Sequence, residues 1–123
     1  MSGNKLFLDS NIVLYFLEGN AEIQQAIEDK DILISFISEL ELLSYPKISK
    51  KDEQNIKGFI SASQLIHITE EIKDITIDFK RKYNIKLADG IIAASAFYFN
   101  IPLFTADSDF AKIEELDVIM YEI

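Results

Sequence analysis

Cysteine is absent from this chain of 123 residues, and histidine occurs once. Without cysteine the chain can form neither disulfide bridges nor thiolate metal sites, and one histidine makes a zinc site a poor match. No apolar run reaches the roughly 20 residues that span a bilayer, and the first residues lack the charged and apolar regions of a signal peptide. We therefore expect no contact with a membrane and a location in the cytoplasm.

Glycine and proline are also scarce, at four and two residues. The sequence has no glycine-rich loop of the kind that cradles phosphates, and short polar turns must join its structural elements. Hydrophobic residues make up 49% of the chain, which is enough for a core. The length suits one compact unit, so we expect a single domain over residues 1–123.

Positive charge is the third shortage, because 12 basic residues stand against 21 acidic ones and the net charge is −9. Phosphate contacts need Lys and Arg, so net charge alone disfavours nucleic acid and favours a basic protein partner. Carboxylates that bind a cation would account for part of the excess. The basic residues form two groups, each of which can also be a solvated helix face. The groups are Lys47, Lys50, Lys51 and Lys57, and Lys80, Arg81, Lys82 and Lys86.

Apolar runs and amphipathic segments alternate along the chain, which predicts an α/β fold. The predicted strands cover residues 5–8, 32–36, 65–68, 103–105 and 118–121. The predicted helices cover residues 10–17, 21–29, 38–45, 52–64, 70–83, 88–99 and 107–116, with Ser10 and Ser38 as N-caps. Such alternation predicts a central parallel sheet of about five strands with helices on both faces and right-handed crossovers.

Four acidic residues lie where a predicted strand and a predicted helix meet: Asp9, Glu41, Asp89 and Asp107. In an open α/β sheet, function collects at the carboxyl ends of the strands, beside the point where the strand order reverses. The four carboxylates share one cleft there if the first strand lies between the second and the fourth. Carboxylates held that close repel one another, and a divalent cation relieves the repulsion. Ligation by oxygen alone favours Mg²⁺ or Mn²⁺ over Zn²⁺.

Each acid also has an ordinary structural interpretation. A lone Asp after a strand is most often a turn or cap residue, and Asp107 can cap the last helix with Asp109 in its first turn. Glu41 can be a solvated helix residue, as we expect for Glu39. Asp89 is harder to explain in this way, because it stands in an otherwise apolar helix, where an unpaired charge is costly. The joint placement is the stronger signal.

Nucleophilic catalysis has little support in the sequence. His67 falls in a predicted strand among apolar neighbours, and we expect a half-buried structural histidine. No Ser and Asp are arranged around it in the pattern of a triad. Ser10 and Ser35 fit caps or strand positions better than nucleophiles.

Four short segments carry a resemblance to a known family. They read FLDSN at 7–11, ISELEL at 37–42, ADGIIAASA at 88–96 and FTADSDF at 104–110. In this order and at these separations they resemble the motifs of PIN-domain ribonucleases, in particular the VapC-like toxins of toxin–antitoxin pairs, over essentially the whole chain. The resemblance implies a PIN-like three-layer α/β/α sandwich with strand order 3-2-1-4-5, which is the order that convergence of the carboxylates requires.

The resemblance also implies roles for individual residues. A cation, Mg²⁺ or Mn²⁺, would be bound by Asp9, Glu41, Asp89 and Asp107, with Asp109 as a further ligand. The carboxylates or a water molecule would be oriented by Ser10, Asn11 and Thr105. Clustering alone marks four candidates for contacts with RNA phosphates, namely Lys50, Lys51, Lys82 and Lys86.

The first hypothesis is therefore a Mg²⁺- or Mn²⁺-dependent endoribonuclease, the toxin of a toxin–antitoxin pair, with RNA as substrate, an antitoxin as partner and a tendency to form homodimers. The second hypothesis is a catalytically silent PIN-like module that acts through protein assembly. Its acidity and its aromatic content of 11% suit a groove for an amphipathic partner helix. Both hold together if binding regulates catalysis.

A third interpretation is another α/β enzyme with an acidic site. A haloacid-dehalogenase-type phosphatase needs a second Asp two residues after the first, where this chain has Asn11. A response-regulator receiver needs an acidic pair before the end of the first strand. A toprim-type nuclease shares the spacing of Asp107 and Asp109 but has its glutamate after the first strand. The fold discriminates among these classes.

Overall fold

Five short strands build the sheet of the computed structural model, which describes residues 4–122. The strands are β1 (Lys5–Leu8), β2 (Asp31–Ser35), β3 (Gln64–Ile66), β4 (Leu103–Thr105) and β5 (Val118–Met120). Every neighbouring pair is parallel, and the order across the sheet is β3-β2-β1-β4-β5. The predicted α/β class and the strand order implied by the family resemblance are therefore confirmed.

Six α-helices connect the strands in the described part of the chain. They are α1 (Ser10–Leu17), α2 (Ala21–Ile27), α3 (Phe36–Leu43), α4 (Lys50–Ser61), α5 (Glu70–Lys82) and α6 (Leu87–Tyr98), and a 3₁₀ helix follows at Ser108–Lys112. Within residues 4–122, none of the helices combines the length and the hydrophobicity that crossing a bilayer requires.

Side chains alternate between two cores, because successive strand residues point to opposite faces of the sheet. Leu6 and Leu8 of β1 join the core beneath α1, α2, α3 and α4, whereas Phe7 joins the core beneath α5, α6 and the 3₁₀ helix. Both cores are well shielded, and Phe7 and Leu8 have no exposed surface. The sheet is thus covered by helices on both faces, as the predicted three-layer sandwich requires.

Two predicted caps were wrong, because two strands pass directly into helices with no intervening turn. Asp9, the residue after β1, caps α1 by accepting a hydrogen bond from Ser10 N at 2.8 Å. Ser35, the last residue of β2, caps α3 through the bond from Ile37 N to its Oγ at 3.1 Å. Ser10 and Ser38 instead lie inside their helices, and their hydroxyls are free for other contacts.

The other predicted helices and strands have boundaries within three residues of the observed ones, and two differences change the surroundings of a named residue. The helix expected over 107–116 is a shorter 3₁₀ helix at Ser108–Lys112, because the backbone becomes extended at Ile113, whose side chain is buried in the core. β3 ends at Ile66, so His67 lies beyond the strand and is exposed rather than half-buried. Its ring stacks on that of Phe36, with centroids 6.3 Å apart.

The position of β1 between β2 and β4 creates the place where strand order reverses. The chain leaves β1 toward β2 on one side, and it reaches β4 on the other side only after β3, α5 and α6. Ile34 and Phe104 are the partners of Leu8 on either side, so these three strands end at the same edge. Residues that follow β1, β2 and β4 therefore meet there.

Candidate metal centre

Asp9 stands at the centre of this edge, with 6% of its surface exposed. Its backbone N–H donates to Phe104 O of the neighbouring strand at 3.0 Å. Its carboxylate accepts one bond at each oxygen, from Ser10 N at 2.8 Å and from Thr105 Oγ1 at 2.7 Å. Each carboxylate oxygen has two lone pairs, so one on each oxygen is left for a further partner.

Thr105 links Asp9 to the loop after β4. Its Oγ1 accepts a bond from Asp107 N at 3.0 Å while its proton goes to Asp9. Asp107 caps the 3₁₀ helix, and its Oδ1 accepts from Asp109 N at 2.9 Å. The structural and the functional interpretation of Asp107 are therefore compatible, because capping occupies one lone pair of one oxygen.

Asp89 approaches from the first turn of α6. One carboxylate oxygen from each of Asp89, Asp107 and Asp109 lies within 4.8 Å of the others, and all three residues are half-buried. This spacing fits three ligands around one cation, since Ca²⁺ and Mg²⁺ take oxygen ligands at about 2.0–2.6 Å. Asp109 also pairs with Lys112, whose Nζ is 3.3 Å from Oδ1.

Glu41 reaches the site from α3, where it follows Ser38 by one helical turn. Ser10 Oγ lies 2.7 Å from Glu41 Oε1 and 2.8 Å from Ser38 Oγ. Ser10 therefore touches two of the acids, since its backbone N–H donates to Asp9 and its hydroxyl contacts Glu41. Glu41 itself is exposed at the groove, whereas Ser38 is fully buried.

Two of the carboxylates have pKa values above the usual range, mainly because they are buried and also because they repel one another. Burial raises the pKa of Asp89 to about 6, and the charges of Asp9, Asp107 and Glu41 add to the effect. Burial likewise raises the pKa of Asp9, against the hydrogen bond from Thr105, which lowers it. Within residues 4–122, no salt bridge includes any of these four acids. Excess negative charge of this kind is what a divalent cation neutralises.

A groove of about 500 Å³ runs from these carboxylates across α1, α3 and α4. Asp9, Glu41, Asp89 and Asp107 all border it, as do Ser10 and Asn11. The lining also includes the apolar side chains of Leu14, Leu17, Leu42, Ile48 and Ile56, together with the polar side chains of Glu18, Lys47, Asp52 and Asn55. Four carboxylates from four separate segments thus face one solvent-accessible space, which apolar side chains also border.

The predicted RNA-contacting lysines lie outside the lining of this groove. Lys50 and Lys51 are exposed at the start of α4. Lys86 is the residue before α6, one turn from Asp89, and its charge opposes the rise in the pKa of that acid. Lys82 is already paired, with Asp78 Oδ2 at 3.2 Å and Glu115 Oε2 at 3.0 Å.

Sequence reasoning missed two residues of the site. Lys47 is the basic side chain in the described lining of the groove, and its place in the first lysine group was a usable signal. Ser38 was interpreted as a cap, and the structure instead buries it beside Ser10. Its spacing of three residues from Glu41 puts both on one face of α3, which is a signal that periodicity alone could have given.

The donor set fits a hard divalent cation. All of the converging side chains offer carboxylate oxygen, and cysteine is absent from the chain. Oxygen donors select Mg²⁺, Mn²⁺ or Ca²⁺, whereas zinc sites are built mainly from sulfur and nitrogen. Fold and site together define an α/β protein with a carboxylate centre at the carboxyl edge of a parallel sheet.

The family model of the PIN domain matches residues 6–116, and the chain belongs to this family. The resemblance inferred from the four short segments is thereby confirmed. Membership of the PIN-domain family excludes the phosphatase, receiver and toprim alternatives, because those proteins have different folds.

Individual relatives cover nearly the whole chain. Ribonuclease VapC2 of Methanocaldococcus jannaschii is 25% identical over 142 aligned residues, which cover 97% of this chain and 95% of the relative. A toxin–antitoxin complex from Klebsiella pneumoniae contains a chain 30% identical, with a TM-score of 0.82 and coverage of 96% and 99%. VapBC2 of Rickettsia felis, bound to a promoter DNA fragment, has a TM-score of 0.85 at 20% identity, with coverage of 96% and 99%. At that identity the likeness is one of fold.

Proposed function

We propose that this chain is a divalent-metal-dependent endoribonuclease and the toxin of a toxin–antitoxin pair. The observation that carries the proposal is the meeting of Asp9, Glu41, Asp89 and Asp107 at one groove of a PIN-domain fold. The archaeal relative is named a ribonuclease, and the relative from Klebsiella pneumoniae is part of a toxin–antitoxin complex. Both names agree with the chemistry of the groove.

In this proposal the four carboxylates have two different roles. Asp9, Asp89 and Asp107 hold Mg²⁺ or Mn²⁺, and Glu41 completes the coordination or accepts a hydrogen bond from the attacking water. Thr105 and the backbone N–H of Ser10 fix the two oxygens of Asp9. When bound, the cation lowers the pKa of water and offsets negative charge on the phosphodiester. Carboxylates alone would repel the phosphate.

Asp109 takes a supporting role in the proposal. One of its carboxylate oxygens lies within 4.8 Å of oxygens of Asp89 and Asp107, and Lys112 Nζ lies 3.3 Å from its Oδ1. In the proposal it adds a ligand for the cation or accepts a hydrogen bond from water. Asn11, exposed at the groove, supplies an amide that can orient water or a ribose hydroxyl.

Contacts with RNA phosphates require basic side chains close to the groove. Lys47 borders the groove and Lys86 lies one turn before Asp89, so these two are the best placed for the flanking phosphates. Lys50 and Lys51 at the start of α4 extend the basic surface. Lys82 belongs to the same proposal, but a phosphate would have to displace its two carboxylate partners.

The apolar side chains of the groove support an antitoxin as partner. An amphipathic segment could bury its apolar side against Leu14, Leu17 and Ile56 and extend a basic side chain toward the carboxylates. The net charge of −9 favours such a partner. Binding there would block access to the centre, so assembly and catalysis would exclude each other.

Homodimer formation and a cytoplasmic location complete the proposal. Exposed apolar side chains on α5 and α6, including Ile77, Leu87 and Tyr98, give a second copy surface to cover. A cytoplasmic location is proposed because a toxin of this class would meet cellular RNA there. Sedimentation velocity at micromolar concentration measures the oligomeric state directly.

The deciding experiment is cleavage of a fluorescent single-stranded RNA by wild type and Asp89→Asn, each with EDTA, Mg²⁺ or Mn²⁺. We expect cleavage by wild type with either cation, none with EDTA, and a loss of at least about 100-fold in the variant. Asp74→Asn, an exposed acid on α5, is the matched control and should cleave normally. Wild-type protein that binds these cations but cleaves no RNA would favour the silent binding module instead.

A further inference from the structure

The strongest unassigned feature of the site is the hydroxyl of Ser38. Ser38 lies in the first turn of α3 with no exposed surface, and its Oγ is 2.8 Å from Ser10 Oγ. Ser10 in turn contacts Glu41, which is the only one of the four acids that is exposed. Ser38 therefore lies behind the side chain that contacts the most exposed carboxylate of the centre.

When Glu41 is a carboxylate, only one arrangement of the hydroxyl protons satisfies both contacts of Ser10. A carboxylate oxygen accepts and cannot donate, so the single hydroxyl proton of Ser10 goes to Glu41 Oε1. The contact between the two serines must then use the proton of Ser38, which is donated to Ser10 Oγ. The result is a directed relay from Ser38 through Ser10 to Glu41.

Such a relay matters because a glutamate side chain is costly to hold still. Ordering a long side chain of this type costs about 1.5–2 kcal/mol of rotamer entropy. A hydroxyl that already accepts a bond is a stronger donor, since hydrogen bonds in a chain polarise one another. The relay thus pins Oε1 on the Ser10 side and leaves Oε2 for a ligand in the groove.

We infer that Ser38 is a positioning residue that orders Glu41 for the metal centre by donating its hydroxyl proton to Ser10. The inference rests on the proposed function, because it treats Glu41 as part of that centre. Ser38 touches neither the cation nor the substrate. Its effect is transmitted entirely through Ser10. The effects of substituting Ser38 and Ser10 on metal affinity should therefore be non-additive.

The first measurement is Mn²⁺ affinity by titration calorimetry for wild type and Ser38→Ala. We expect the dissociation constant to rise about 3- to 10-fold, the size of the net contribution of one hydrogen bond. RNA cleavage at saturating Mn²⁺ gives a second readout, and a fall in kcat with little change in KM is expected. Thermal unfolding in EDTA checks that both proteins fold.

The matched control is Ser95→Ala. Ser95 is as buried as Ser38, but its hydroxyl donates to Ile91 O of its own helix at 2.7 Å. Removing it should change stability without changing Mn²⁺ affinity. Ser38→Thr is the rescue variant, because it retains the hydroxyl and should bind Mn²⁺ within about twofold of wild type.

A double-mutant cycle with Ser10→Ala separates a relay from general packing. If Ser38 acts through Ser10, adding Ser38→Ala to Ser10→Ala should weaken Mn²⁺ binding no further. Full additivity, an unchanged affinity in Ser38→Ala, or an equal loss in Ser38→Thr would each overturn the inference. Wild type that binds Mn²⁺ without cleaving RNA overturns only the proposed catalysis. Wild type that binds no Mn²⁺ overturns the metal site and the inference together.

Discussion

Asp9 serves the fold and the site with the same carboxylate. Its Oδ1 caps α1 and its Oδ2 receives the hydroxyl of Thr105, which is why its side chain points along the edge of the sheet into the groove. Asn is as good an N-cap as Asp, but it carries no charge for a cation. Substitution at this residue can therefore separate metal binding from folding.

We expect Asp9→Asn to reduce RNA cleavage by at least about 100-fold. Its unfolding midpoint in EDTA should fall by no more than about 5 °C, because the retained cap and the removal of a buried charge offset the lost hydrogen bond from Thr105, which the amide nitrogen of Asn cannot accept. Cleavage assays and thermal unfolding of the same preparations measure both quantities. Retained cleavage, or collapse of the fold, would contradict the role given to Asp9.

Asp89 should make the metal-free protein sensitive to pH. Its pKa is raised from 3.8 to about 6 in the folded chain, so the folded state holds the proton more tightly than the unfolded state. Stability should therefore fall as pH rises from about 4 through 6, where the group ionises. Because the residue is only half-buried, we expect a difference of a few degrees.

The comparison of wild type with Asp89→Asn in EDTA isolates this effect. The variant should unfold about 3–5 °C higher than wild type at pH 7 and no higher at pH 4. Mn²⁺ should bind wild type less tightly below pH 6, since a proton competes for the same carboxylate. An equal midpoint difference at both pH values would mean that the charge of Asp89 is not the cause.

At the scale of elements, the 3₁₀ helix is the segment on which the site depends most. Asp107 caps it, Asp109 lies in its first turn, and Phe110, the next residue, anchors it in the core with 1% of its surface exposed. Ile113, the C-cap, ends the helix in extended backbone and is equally buried. The segment is therefore anchored in the core both within the helix and at its end.

Phe110→Leu should therefore weaken metal binding as well as stability. A loss of about 1–2 kcal/mol is expected for a smaller side chain in a tight core, and mobility of the helix should displace the two carboxylates. Phe79→Leu on α5 is the matched control, because Phe79 is as buried but lies away from the acids. Urea unfolding and Mn²⁺ titration should show equal losses of stability, with reduced affinity only for Phe110→Leu.

At the scale of the molecule, bound metal should act as a global stabiliser. A cation at 100 times its dissociation constant adds about 2.7 kcal/mol if it binds only the folded state, which corresponds to about 10 °C for a chain of this length. Thermal unfolding with EDTA and with Mn²⁺ measures the rise. A rise in wild type that Asp9→Asn lacks would locate the cation at the shared site, and equal rises would place it elsewhere.

The sequence was sufficient for the features that depend on long patterns. Continuous apolar runs identified the strands, and the four acidic segments predicted an edge where Asp9 and Asp107 now lie either side of Thr105. The strand order did not follow from those patterns. It came from the family resemblance, because pairing between distant strands leaves no local trace.

Local detail was harder to predict where an element was short. Serine is a common N-cap residue, which is why Ser10 and Ser38 were predicted to be caps. In the structure each helix begins directly after its strand, so Asp9 and Ser35 are the caps. His67 was predicted to lie within a strand over residues 65–68, but the observed strand ends at Ile66. Boundaries of this kind depend on tertiary packing more than on propensity.

Asp9 and Asp107 each cap a helix and also belong to the proposed metal site, and this has a consequence for inactivating mutations. A single base change converts an Asp codon into an Asn codon, and at Asp9 or Asp107 that change removes a negative charge while keeping a side chain that caps equally well. Such a mutation would abolish activity while the protein still folds. Variants inactivated at these two positions should therefore remain folded and keep the surfaces through which the proposed antitoxin would bind.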